Sequence, residues 1–170
     1  MQNVTDTEAL QKIGELIREI QMTLFVTQDE NGRMHARPMQ TQKPDKSRPF
    51  NGELWFLTSK SSPKIQEIAA NPNVLLSYAE PKNNSYVSIA GTAETVEDRA
   101  RIKDMWHEPF RIWFPDGPED PDITLIRVKA DAAEYWDSPS KGIVYAFGYF
   151  KMKLTGEIPD VGENRKVRMK

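Results

Sequence analysis

The chain has 170 residues, with 23 Lys and Arg against 25 Asp and Glu, a net charge of −2 at neutral pH. That length fits one domain with a substantial core, and a mix of 38% apolar and 28% charged residues excludes wholesale disorder. The lack of cysteine excludes a disulfide framework, thiolate metal sites and a cysteine nucleophile, and the near-zero charge argues against a broad nucleic-acid footprint.

Met1 to Leu10 is polar and has no signal-peptide pattern, and no apolar run approaches the ~18–20 residues of a membrane span. A cytoplasmic protein is therefore expected, with no membrane or nucleic-acid partner. Thr5 to Gln21 reads as a helix: Leu10, Ile13, Leu16, Ile17 and Ile20 fall on one face, and Thr5-Asp6-Thr7-Glu8 fits a capping box. Thr23 to Thr27 is a short apolar strand. Asn31-Gly32 then signals a turn into Arg33 to Thr41, so the pair reads as a β-hairpin. Lys43 to Gly52 is a loop, and Glu53 to Thr58 a further strand. Ser62-Pro63 starts a short helix with Ser62 as N-cap, and Asn71-Pro72 ends it. Asn73 to Ala79 and Ser85 to Thr95 are two more strands. Thr95 to Asp98 caps a third helix carrying Ile102, Met105 and Trp106 inward. Pro115 to Pro121 is a loop, and Ile123 to Val128 and Ala133 to Trp136 are two final strands. Gly142 to Leu154 fits strand or helix equally. Residues 1–155 are expected as one domain and 156–170 as a flexible basic tail.

Strands outnumber helices and do not alternate with them, which favours an antiparallel barrel with flanking helices, mainly β, over a doubly wound sheet. No Gly-x-Gly-x-x-Gly follows any strand.

Three stretches could carry chemistry. Thr58 to Lys64 places three serines and two lysines between a strand end and a helix start. Unpaired N–H groups there, with Lys60 or Lys64, suit a phosphate held by Thr58, Ser59 and Lys64; a polar capped loop fits as well. Arg37 stands in mid-strand, sharing a face with His35 and Met39. It requires a partner, either a phosphate or an internal carboxylate, unless that face is solvated. Trp113-Phe114 and Tyr135-Trp136 could stack on a flat heteroaromatic ligand or belong to the core. Two histidines far apart, no carboxylate at metal-ligand spacing and no Gly-x-Ser-x-Gly leave no metal site and no hydrolase elbow. With no evident acid or base, a cofactor would carry any reaction.

His35-Ala36-Arg37-Pro38-Met39, Leu54 to Ser59, Ser62-Pro63-Lys64, Asn71-Pro72 and Ala133 to Asp137 occur in an order that resembles the pyridoxamine 5′-phosphate oxidase-like FMN-binding split barrels, near the general stress protein branch. The resemblance covers most of residues 5 to 155. It implies a six-stranded antiparallel split β-barrel and a homodimer binding FMN, with FAD as a variant, at the subunit interface. It places Arg37 and Lys64 on the FMN phosphate, Thr58 and Ser59 on the phosphate and ribityl chain, and Pro38 and Met39 along the isoalloxazine edge. Trp113 and Trp136 would reach the flavin from the partner subunit. The oxidases proper carry an Arg-, His- and Trp-rich C-terminal segment, whereas Gly156 to Lys170 has neither Trp nor His. Flavin binding is thus implied more strongly than pyridoxamine phosphate oxidation. The function expected is a flavin-dependent oxidoreductase acting on NAD(P)H or a small molecule, with a role in stress; the alternative is a non-enzymatic flavin store or sensor.

Overall fold

A computed structural model describes residues 6–42, 50–138 and 163–169. Helix α1 (Asp6–Ile20) leads into β1 (Met22–Gln28) and β2 (Met34–Gln40). Then come β3 (Glu53–Ser59), α2 (Pro63–Ala70), β4 (Asn73–Glu80), β5 (Ser85–Val96), α3 (Arg99–Met105), two 3-10 turns (Glu108–Ile112 and Gly117–Glu119), β6 (Ile123–Asp137) and β7 (Glu163–Arg168). Among the described residues no helix is long and apolar enough to cross a membrane.

The sheet is antiparallel throughout, in the order β2-β1-β4-β5-β6-β3, with β7 on β6. Its end strands β2 and β3 approach each other, and the Gln42 N–H donates to the Trp55 carbonyl at 2.9 Å. This is the mainly β, split-barrel architecture expected from the strand-rich order, with β7 as a seventh strand. Alternation builds the core. Thr23, Phe25 and Thr27 face inward from β1, and Leu54, Phe56 and Thr58 from β3. Ala9, Ile13, Leu16 and Ile17 of α1 close one mouth over Phe25, Leu76, Tyr78 and Ile89. A second cluster (Ile102, Phe110, Phe114, Ile123, Leu125) forms where α3 and the first 3-10 turn cover the start of β6. Buried on both faces, β6 starts with the run Ile123 to Ile126, apolar except for Thr124.

Several boundaries differ from expectation. The last two strands are one, because β6 runs through a bulge. Ala132 faces Ala90 and Ala130 faces Gly91, leaving Asp131 as the extra residue. The bulge reverses the inward parity, from Ile126 and Val128 to Ala133 and Tyr135. The same edge of β6 carries β3 before the bulge and β7 after it. Residues 163–168 are consequently no frayed tail: they form β7 and bury Val167 in the core. Asp98, rather than Thr95, caps α3 by accepting the Arg101 N–H at 2.9 Å. Ser62 stands at the N-cap of α2 but makes no side-chain cap bond. Thr5 of the capping box, most of the Lys43 to Gly52 loop and Gly142 to Leu154 lie outside the described residues.

Candidate functional site

A cavity of about 590 Å³ opens where β2 and β3 come together, under the first 3-10 turn. Pro38, Met39 and Gln40 of β2 and Leu57, Thr58 and Ser59 of β3 form two walls. Ser62 and Lys64 enter from the start of α2, and Phe110, Trp113 and Phe114 from the turn. Six of the eight residues singled out in the sequence therefore meet here: Pro38, Met39, Thr58, Ser59, Lys64 and Trp113.

Lys64 is the ionisable side chain of this wall. It is buried, and its Nζ donates to Thr58 Oγ1 at 2.9 Å and to Ser62 Oγ at 2.5 Å. Both acceptors are neutral hydroxyls, so neither balances the charge. Burial, and after it the nearby Arg37 charge, push the Lys64 ammonium below the ordinary lysine range, with Glu67 working the other way. Ser62 thus has a second use: the hydroxyl expected to cap α2 holds the lysine instead.

Arg37 is not on the cavity wall. Its Nη1 donates to Glu67 Oε2 at 2.7 Å and to Thr27 Oγ1 at 2.8 Å, behind Lys64. The internal-carboxylate reading describes it here, because α2 presents Glu67 to the inward face of β1 and β2. Burial acts to raise the Glu67 carboxyl, but the Arg37 guanidinium and the Thr27 hydroxyl outweigh it and keep the group below the usual carboxylate range. Thr27 also donates its hydroxyl to Glu67. Glu67 had no sequence signal beyond its place on the inner face of a short helix.

Trp113 lines the cavity of its own chain. The 3-10 turn carries it there, through ring contacts of Phe110 with Trp106, at 6.0 Å, and with Trp113, at 6.5 Å. It remains 68% exposed at the mouth, beside Ile112 at 78%. Trp136 lies elsewhere, paired with Tyr86 and Asn164. Thr124, opposite Thr58, is about 40 Å of strand away from it at roughly 3.3 Å per residue. Ser59, next to Thr58 on the wall, donates its hydroxyl to Asp122. Sequence reading also missed the apolar lining from Leu57, Phe110 and Phe114, which looks like core in a linear pattern.

The fold and the cavity define a split-barrel protein with one cationic, hydroxyl-lined wall and one apolar, aromatic wall. Residues 8–160 match the family model described as pyridoxamine 5′-phosphate oxidase like, and the chain belongs to that family. It is 37% identical over 82 residues to general stress protein 26 of Bacillus subtilis, a match covering 46% of this chain and 57% of that protein. The matches span only 57–59% of the length of the curated relatives. A Clostridium acetobutylicum protein related to general stress protein 26 shares the fold, with a TM-score of 0.70 over 98% of this chain and 97% of that one at 19% identity. The general stress FMN/FAD binding protein of Xanthomonas citri superposes with a TM-score of 0.66 at 27% identity, covering 77% of this chain and 90% of that one.

Proposed function

We propose that the cavity holds FMN, with the phosphate at Lys64, Thr58 and Ser62 and the isoalloxazine ring against Pro38, Met39 and the Phe110–Phe114 turn. The observation that carries this reading is the buried Lys64, whose hydrogen bonds go to two neutral hydroxyls at the wall of a cavity lined largely by apolar and aromatic side chains. An anion with a flat aromatic body complements that wall in charge and shape. The FMN/FAD binding protein of Xanthomonas citri, similar in fold and 27% identical, supports the same ligand. Arg37 contributes from behind, fixing Glu67 and adding positive potential near Lys64.

The reading extends to a flavin-dependent oxidoreductase. The bound flavin would supply hydride-accepting chemistry, and the walls would bind, orient and shield it. Among the described lining residues Lys64 alone is ionisable, so no side chain stands out as an acid or base. That same feature favours a second reading, a flavin store or sensor. Anaerobic mixing with NADH or NADPH separates them: bleaching of the flavin band at a useful rate supports the oxidoreductase, and an oxidised flavin that persists supports the store.

A homodimer completes the proposal. The outward face of β2, β1 and β4 is apolar, with Met22, Leu24, Met34 and Leu75 between 39% and 63% exposed, and it runs into the cavity through Met22 and Pro38. Titration of stripped protein with FMN, following the quenching of flavin fluorescence, tests the binding. Saturable binding of one FMN per chain is expected, and no quenching with FMN or FAD would overturn it.

A further inference from the structure

Two neighbouring hydroxyls on β3 are polarised in opposite senses. Thr58 Oγ1 accepts from Lys64 Nζ at 2.9 Å, which leaves its own hydrogen free to donate. Ser59 differs. Its hydroxyl bonds Asp122 Oδ2, and an ionised carboxylate has lone pairs only, so Ser59 must be the donor. Ser61 adds its backbone N–H to Asp122 Oδ1 at 3.2 Å; its hydroxyl lies 3.3 Å from Asp122 Oδ2 and 2.7 Å from the Ser59 oxygen, and its single hydrogen serves one of the two. Asp122 is itself fixed, because its N–H donates to Asp120 Oδ1 at 2.9 Å and its carbonyl accepts the Lys60 N–H at 2.7 Å. The Ser59 hydroxyl, above all, holds the Asp122 carboxyl below the ordinary range; burial opposes it, and Ser61 and Lys60 add to the lowering. The aspartate is therefore ionised at neutral pH. Ser59 Oγ retains two lone pairs, of which Ser61 can fill one, and Ser59 lines the cavity.

We infer that Asp122 is a positioning residue that turns Ser59 into a hydrogen-bond acceptor, so that this wall takes a donating hydroxyl of a polyol chain and turns away an anion. The phosphate is left to the Lys64 wall. The inference rests on the flavin reading and deepens it: the family resemblance already implies a contact of Ser59 with the hydroxylated chain, and the specificity of that contact is assigned to Asp122.

The test compares three probes on the full chain: lumiflavin, which carries the ring alone; riboflavin, which adds the hydroxylated chain; and FMN. Asp122→Ala is expected to weaken riboflavin and FMN alike by about three- to tenfold, the effect of losing one hydrogen bond, and to leave lumiflavin unchanged. Ser59→Ala should reproduce that pattern, and the double variant should add nothing to it. Asp122→Asn, which keeps an acceptor oxygen, should recover part of the loss. Equal weakening of lumiflavin would make Asp122 a structural residue and overturn the inference. Tighter FMN with riboflavin unchanged would overturn it too, because the carboxylate would then only repel the phosphate and hold no hydroxyl contact. Wild-type protein that binds FMN beside variants that bind all three probes normally overturns this inference alone. Wild-type protein that binds no flavin overturns the flavin reading together with it.

Discussion

Arg37 and Lys64 are near enough in the folded chain for one charge to act on the other, yet their environments assign them different work. Arg37 is paired with a carboxylate whose side chain is only 10% exposed. Replacing it with Ala leaves Glu67 buried and uncompensated, and we expect a loss of about 2–3 kcal/mol in urea unfolding, somewhat less than for a fully buried pair. A variant as stable as the wild type would mean that the pair contributes nothing. Lys64 has no such partner, and its lowered pKa gives a pH signature. The lysine is charged below its folded pKa, so phosphate anchoring is present on the acid side and is lost as pH rises through that value. The preference for FMN over riboflavin should be largest above the second phosphate ionisation near pH 6. It should fall before the ordinary lysine value of about 10.4 is reached. A ratio that stays flat past that value in competition titrations would contradict the assignment. The serine-rich turn made Thr58 and Lys64 legible in the sequence, because residue type and order alone suggest an anion. The partners of Arg37 and Ser59 were not legible: Glu67 and Asp122 lie 30 and 63 residues away and meet them only through the sheet.

At the scale of elements, the bulge in β6 organises one edge of the barrel. It ends the pairing with β3, begins the pairing with β7 and reverses which side chains face the core. Gly91 makes it possible, since a Cβ there would sit 2.2 Å from the Lys129 carbonyl oxygen. Gly91→Ala should cost about 3 kcal/mol, the upper end for overpacking, and lower the melting temperature by roughly 6–12 °C. An unchanged melting temperature would show that the bulge yields without strain. The parity change explains why the sequence read β6 as two strands: Ile123 to Val128 and Ala133 to Trp136 are separate apolar stretches whose core-facing residues lie out of phase. It also explains why β7 went unread. Glu163 to Arg168 offers one buried apolar residue, Val167, and its strand character comes from the free edge of β6 rather than from its own pattern. The α1 face, the β1–β2 turn and α2 were legible because each carries its own periodicity or turn residue.

For the whole molecule, the outer face of β2, β1 and β4 is the proposed dimer contact. Leu24, half exposed in the single chain, sits in its middle, with Pro38 and Ser77 opposite it on the flanking strands. Leu24→Lys should shift the mass measured by light scattering from two chains to one, and weaken FMN because the cavity borders this face. A wild-type mass of one chain would remove the dimer. The central claim is the phosphate site, and the most direct measurement is the ratio of FMN to riboflavin affinity in wild-type protein and in Lys64→Ala. Loss of one charge-assisted contact, about 1.5–3 kcal/mol, predicts FMN weakened roughly tenfold to a hundredfold with riboflavin unchanged. Equal weakening of both ligands, or of neither, would contradict a phosphate held at Lys64.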